Sequence, residues 1–181
     1  TVIYDVHEDL SKDILTKEWI PKIFRKLLGD LVFCFEKFLV RNFFAVVAAT
    51  PFITNKFSPI SDKVVNVNNY PILSEFNYFD DWVKKNREVV YLGGIAKIRG
   101  IHEMIEAIEP TLDVRLNLAG DFDGEMLRNR AMNQEGWSKV NELGFLSRAQ
   151  VNEILERSMV GLVTLHPTIN YLDSLAVKMF E

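Results

Sequence analysis

Three short stretches of the 181-residue chain carry residue types that could do chemistry. The first is GGIAKIRG, residues 93–100, where glycines let backbone amides approach a ligand and Lys97 and Arg99 supply positive charge. Such a loop suits a diphosphate, and it equally suits a tight turn with solvated cations. It has neither the Gly-Lys-Ser/Thr ending of a P-loop nor the GxGxxG of dinucleotide folds. The second is HED, in which His7 stands beside Glu8 and Asp9. Two readings stay open there: an active-site histidine among acids, or a capping cluster at a helix start. The third is DSLAVKMFE, residues 173–181, where Asp173 and Glu181 bracket seven residues that include Lys178. Taken alone, that spacing also fits a loop entering an amphipathic helix. His102 and His166 read as structural. No His/Cys/Asp cluster has metal-ligand spacing, no Gly-x-Ser-x-Gly elbow exists, and no tyrosine has a lysine four residues on, which disfavours short-chain dehydrogenases.

The elements that would hold these stretches alternate. TVIYDV reads as a buried strand, and HEDLSKDIL as a loop entering a helix capped by Ser11. KEWIPKIFRKLLGDLVFCFEKFLVRNF has Ile20, Phe24, Leu27, Leu28, Leu31, Phe35, Phe38 and Leu39 at helical spacing. Pro21 marks a kink or a second helix start. FAVVAAT, PFITNKF and KVVNVNN follow as strand, helix and strand, with proline in the helix's first turn. The aromatic stretch from residue 70 to 87 reads as a connector. EVVYLGG, GIHEMIEAIE, VRLNLAG, DGEMLRNRAMNQEG, KVNELGF, SRAQVNEILERS and VGLVTLHP then alternate strand and helix, with a capping box of Ser147 and Gln150. The order predicts an α/β protein with doubly wound parallel sheets. Ligands of such sheets sit beyond the carboxyl ends of the strands, so YLGGIAKIRG, LAGDFDG, LGFLSRAQ and TLHPTINYLDS should share one rim.

Composition sets the class. Hydrophobic residues make 48%, charged residues 25%, and net charge is −4, which disfavours wholesale nucleic-acid binding. No RNP, zinc-finger or basic-zipper pattern is present. The single cysteine, Cys34, excludes an internal disulfide, reads as a buried inert thiol among Val32, Phe33 and Phe35, and fits a reducing compartment. The longest run free of both charged residues and histidine, residues 42–55, is too short to span a bilayer and contains Pro51. Both ends of the sequence read as fragment boundaries.

The ordered set of segments resembles the retaining glycosyltransferases of family 4, which have the two-Rossmann GT-B fold, and in particular bacterial members that build surface polysaccharide. VIYDVHEDL resembles a late amino-domain strand with its following histidine. VVAATPFITNKF and VVNVNNYP resemble that domain's last elements before the hinge. VVYLGGIAKIRGI resembles the donor loop, LNLAGDF and ELGFLSRAQ follow at the family's spacing, and YLDSLAVKMFE falls on its acidic pair.

The resemblance implies the later part of an amino-terminal, acceptor-side domain over residues 1–71, a linker over 72–87, and a nucleotide-sugar domain over 88–181 that is incomplete at its C-terminus, so that the two-domain fold as a whole is truncated at both ends. It implies transfer of a sugar from a nucleotide-diphosphate sugar to a hydroxyl acceptor with retained configuration, and with no metal or other cofactor. Glu181 would hold the ribose hydroxyls, Asp173 would face the sugar, and His7 would approach that sugar from the acceptor side. The amides of Ser174, Leu175, Ala176 and Val177, at a helix start, would meet the diphosphate next to Gly93 and Gly94. Arg99 would neutralise it, with Lys178 a second candidate, and Phe145 and Leu146 would lie against the base. Two departures stand out: Gly94 replaces the arginine usual in the loop, and Asp173 is shorter than the usual glutamate. They favour one rival, a non-catalytic sugar-nucleotide-binding module; a Rossmann oxidoreductase is another. A cytoplasmic protein is implied, with a lipid-linked acceptor and a peripheral contact at the inner membrane face through residues 17–28. For the long helix itself, packing inward by its apolar stripe is the plainer reading. A chain cut at both ends would itself be inactive.

Overall fold

The structure, a computed structural model, describes residues 1–17, 19–72, 74, 82–169, 171, 172, 176 and 179, the side chain of Val83 excepted. The chain divides into two compact units, built mainly on Thr1–Tyr70 and on Pro71–His166.

In the first unit, strands β1 (Ile3–Val6), β2 (Ala45–Ala48) and β3 (Val64–Asn66) form a parallel sheet in that order. β1 is at the edge of the described strands, so Val6 is buried while Ile3 is exposed, and the expected buried strand is an edge strand instead. Helices α1 (Leu10–Thr16) and α2 (Lys22–Asn42) cross from β1 to β2. Pro21 stands immediately before α2, consistent with a second helix start. The cap of α1 is Asp9, whose side chain accepts from the Lys12 N–H; Ser11, the expected cap, lies inside the helix and donates to Asp9. Helix α3 (Pro51–Phe57) has proline in its first turn and is capped by Thr50. Val6, Val40, Val46, Ala48, Ile53 and Phe57 form the core.

Helix α2 reverses the expected packing. Its inward residues are Gly29, Glu36 and Val40. The apolar stripe of Ile23, Phe24, Leu27, Leu31, Phe35 and Phe38 is exposed, as is Trp19 at 80%. Cys34, expected to be buried, is exposed as well. The reason is a polar pin. Lys56 of α3 places Nζ 2.9 Å from Glu36 Oε2 and 2.7 Å from Asp9 Oδ1, and donates to Ser11 Oγ at 3.3 Å. Tyr4 of β1 donates to Glu36 Oε1 at 3.0 Å; burial first, then the Glu36 carboxylate, pushes its hydroxyl pKa up to about 12. Burying Glu36 fixes the rotation of α2, because positions on a helix are locked 100° apart. Gly29 adds a close approach to α1, where a Cβ would sit 3.0 Å from the Ser11 carbonyl oxygen.

The second unit has strands β4 (Asn86–Leu92), β5 (Arg115–Ala119), β6 (Val140–Gly144) and β7 (Ser158–Gly161), all parallel, in the spatial order β6-β5-β4-β7. Helices α4 (Ile101–Ile108), α5 (Glu125–Met132) and α6 (Arg148–Arg157) connect them. Here the apolar face of α4 packs inward as its period predicts: Ile101, Met104, Ile105 and Ile108 join Tyr91, Ile95, Leu116 and Leu118 in one core. The expected long helix after β5 is the shorter α5 followed by a 3₁₀ turn over Glu135–Lys139. The Ser147–Gln150 capping box forms as expected. The expected last strand starts earlier and stops at Gly161, since α6 runs straight into β7 without a turn. Lys85 braces that junction, donating to the Leu155 and Ser158 carbonyls at 3.3 and 3.1 Å. No helix among the described residues is long and apolar enough to cross a membrane.

Candidate functional site

Strand order reverses at β4: β5 and β6 lie to one side of it and β7 to the other. Such a switch point opens a crevice beyond the carboxyl ends of the two strands at which the order turns. Residues 93–100 leave β4 there, and residues 162–166 leave β7.

The glycine loop is held at its start by the sheet. Gly93 N–H donates to the Ala119 carbonyl at 2.9 Å, Ile95 N–H to Asp121 at 2.8 Å, and Gly120 N–H to Gly144 at 2.8 Å, lacing together the loops after β4, β5 and β6. Gly120 is obligatory: it has φ +135°, and a Cβ there would lie 2.1 Å from the Gly93 carbonyl oxygen. Tyr91, fully buried, donates from its hydroxyl to the Gly94 carbonyl at 2.9 Å. Arg99 Nη1 reaches the same carbonyl at 3.3 Å. The Arg99 guanidinium thus lies across the Gly94 backbone, where a Cβ on residue 94 would be 3.4 Å from Nη1. Gly94 gives up one cation of the expected loop and leaves room for another.

The second half of the loop is a 3₁₀ turn, Lys97–Arg99, ending at Gly100 with φ +73°. Thr164 and His166, from the segment after β7, contact this turn. Thr164 Oγ1 donates to the Arg99 carbonyl at 2.8 Å, and His166 N–H to the Ile98 carbonyl at 2.9 Å. His166 Nε2 lies 2.9 Å from Glu103 Oε1 in the first turn of α4. A backbone N–H at the helix start holds the Glu103 carboxyl below the usual range, and the His166 ring adds to that.

Farther along the same edge, Phe145 follows β6 with 84% of its surface exposed, and Leu146 beside it is half-buried. Gly93, Gly94, Arg99, Phe145 and Leu146 therefore share one edge of the second sheet, as the topology predicts. Of the closing stretch, only Ala176 among the expected contacts is described; it is half-buried and belongs to no helix or strand. Asp173, Ser174, Leu175, Val177, Lys178 and Glu181 lie outside the described residues.

His7 stands in the first unit, exposed just beyond β1. Asn69 Nδ2 donates to its Nδ1 at 2.8 Å, so Nε2 carries the proton and faces Asp5 Oδ2 at 3.2 Å. Asn69 escapes a sequence reading because it meets His7 only in the folded unit, across 62 residues of chain; Asp5 stands two residues before His7, and the strand's period of two is the signal that could have found it. Among the described residues, no group of three or more His, Cys, Asp or Glu side chains is placed to hold a metal ion.

No family model and no curated protein matches the sequence. Solved structures do share its fold. Anabaena Alr3699/HepE in complex with UDP and glucose matches with a TM-score of 0.62 at 16% identity, over 90% of this chain and 46% of that one. The fold is the GT-B type. S. aureus TarM, as a mutant in complex with Fondaparinux, alpha-GlcNAc-glycerol and UDP, matches at 0.54 and 14% identity over 71% of this chain and 27% of that one. The apo form of the lipopolysaccharide outer core galactosyltransferase WaaB matches at 0.50 and 14% identity, over 68% and 38%. The chain thus spans less than half the length of these structures, and at such identities the likeness is one of fold.

Proposed function

We propose that this chain is part of a glycosyltransferase moving a sugar from a nucleotide-diphosphate sugar to a hydroxyl acceptor. The observation that carries the reading is the glycine loop with Arg99 at the switch point of a fold shared with HepE, which has been solved with UDP and with UDP-glucose. In this reading the second unit is the donor side and the first the acceptor side, with residues 72–87 as linker.

The bond between the sugar's anomeric carbon and the diphosphate oxygen breaks, and an acceptor oxygen takes its place while its proton leaves. The departing diphosphate gains negative charge. Arg99, loop amides beside Gly93 and Gly94, and the amides of residues 174–177 stabilise it, which is oxyanion-hole logic applied to phosphate. Lys178 is a second cation for the same charge, and the family resemblance implies chemistry with neither a metal nor another cofactor. Phe145 and Leu146 lie against the base, Glu181 binds the ribose, Asp173 faces the sugar, and His7 meets it from the acceptor side. Retention of configuration, membership of family 4, a bacterial polysaccharide or glycolipid pathway and a cytoplasmic location extend the same reading, supported by the sequence resemblance.

The outward stripe of α2 supports one more element. Trp19, Ile23, Phe24 and Leu27 stand exposed together with Lys22 and Lys26, a pattern that suits an anionic membrane surface. A lipid-linked acceptor fits that placement.

The test is titration of UDP, GDP and UDP-glucose into the chain, followed by hydrogen exchange of residues 93–100, with transfer assayed in parallel. Saturable protection by a nucleotide, weakened about tenfold by Arg99→Ala, is expected. Binding without turnover on any donor by the full-length protein would identify a non-catalytic module. NAD(P) binding with no response to nucleotide sugars would replace the reading with an oxidoreductase.

A further inference from the structure

The two halves of the glycine loop are secured differently. Its first half is pinned by β5 and the loop after it, through Gly93, Ile95 and the bridge between Ile95 and Phe122. Its second half, which carries Lys97 and Arg99, has its own 3₁₀ hydrogen bonds, the reach of Arg99 back to the Gly94 carbonyl, and a tether from outside the loop. That tether is the segment after β7. Within three residues it supplies a hydroxyl to the Arg99 carbonyl, an amide to the Ile98 carbonyl and an imidazole to Glu103. A carboxylate only accepts, so the His166 ring donates from Nε2. Gly100 completes the fit: a Cβ there would lie 3.0 Å from Thr164 Cβ and Oγ1, so the absence of a side chain lets the two segments meet.

We propose that Thr164 and His166 are positioning residues that fix the Arg99-bearing turn for a diphosphate. The inference rests on the diphosphate reading of the loop given above. Its physical basis is preorganisation. A guanidinium that must be ordered when ligand arrives loses affinity to that ordering, whereas one on a clamped turn does not. The clamp ties the loop of β4 to the segment after β7, the two strands on either side of the switch point, so its position follows from strand order. Neither residue need touch the ligand to have this effect.

Two readouts test it: amide hydrogen exchange across residues 97–104, and the affinity of the chain for UDP and GDP. Thr164→Val keeps the shape and removes the hydroxyl; His166→Phe keeps a ring and removes the donor. Each should speed exchange of residues 97–104 about tenfold while leaving β5 unchanged, which also shows that the unit is folded. Each should weaken nucleotide binding about fivefold, and Thr164→Ser should restore both readouts. With Arg99→Ala already present, the same changes should weaken binding no further, since their effect runs through Arg99. Unchanged exchange at 97–104, or losses that simply add to that of Arg99→Ala, would overturn the positioning role while nucleotide binding by the parent chain stands. No saturable response of the parent chain to UDP, GDP or inorganic pyrophosphate would overturn the diphosphate reading and the positioning role together.

Discussion

In α4 the apolar residues Ile101, Met104, Ile105 and Ile108 all face the core, whereas in α2 Ile23, Leu27, Leu31, Phe35 and Phe38 face outward. Both helices carry apolar residues at intervals of three and four, and both connect adjacent parallel strands. The difference lies in what else each helix must satisfy. α4 alone spans β4 to β5, and its inward face has no charge to place. α2 shares its crossover with α1 and carries Glu36, which is buried against Lys56 and Tyr4. A buried carboxylate deprived of its partners costs more than an exposed apolar side chain, so the polar contact sets the rotation. Periodicity therefore announces that a face will be covered, and a single buried charge can decide that some other surface must cover it.

The comparison breaks first at the pin. Lys56→Ala should destabilise the first unit by about 3–5 kcal/mol, because it leaves Glu36 and Asp9 buried without their cation. Denaturant unfolding followed by hydrogen exchange should show that loss in β1–β3 and none in β4–β6. Replacing Lys56 and Glu36 with methionine and Asp9 with asparagine together should recover much of it; if it does not, the pin is no charge cluster.

Next come matched truncations on the two helices. Ile105→Ala should cost about 2–5 kcal/mol as a core cavity. Phe38→Ser, on the outward stripe, should stay within about 0.5 kcal/mol. A loss at Phe38 as large as that at Ile105 would mean that the stripe of α2 is packed in the folded chain. A membrane role makes a separate demand on it. Ile23→Ser combined with Leu27→Ser should abolish co-sedimentation with anionic vesicles and leave the unfolding transition in place.

Acid should separate the units more gently. Burial raises the Asp9 carboxyl, but hydrogen bonds from Lys56 and Ser11 outweigh it, so the folded-state pKa lies below its ordinary value. The stabilisation is present above the unfolded pKa of about 4 and is lost as pH falls through the lower, folded-state value. Unfolding of the first unit between pH 5 and about pH 2 should show that slope, and Asp9→Asn should flatten it. Glu103 contributes the same sign to the second unit, with its backbone hydrogen bond as the main cause.

The smallest expected effect is at Phe145. Its ring is 84% exposed, so Phe145→Ala should leave stability within about 0.5 kcal/mol. If the ring stacks on a base, the same substitution should weaken nucleotide binding by about 0.5–1.5 kcal/mol. Equal affinity for inorganic pyrophosphate in both forms would place the loss on the base.

Alternation of short apolar strands with helical periods is a local property, so the α/β class, most elements and the Ser147–Gln150 cap were legible in the sequence. So was the grouping of Gly93, Gly94, Arg99, Phe145 and Leu146, because parallel strands put all their carboxyl ends on one edge. Strand order, the rotation of α2, the exposure of Cys34, the dyad of His7 with Asp5 and the clasp of Thr164 and His166 on the glycine loop were not. The His7–Asp5 pair is local, two residues apart at a strand end; each of the others depends on contacts between residues far apart in the chain, such as Glu36 with Lys56 or Arg99 with Thr164. Sequence determines which residues can form a strand, a cap or a cation-bearing turn. Tertiary structure decides which partner each one meets, because burial favours whichever arrangement pairs its buried charges and donors at least cost.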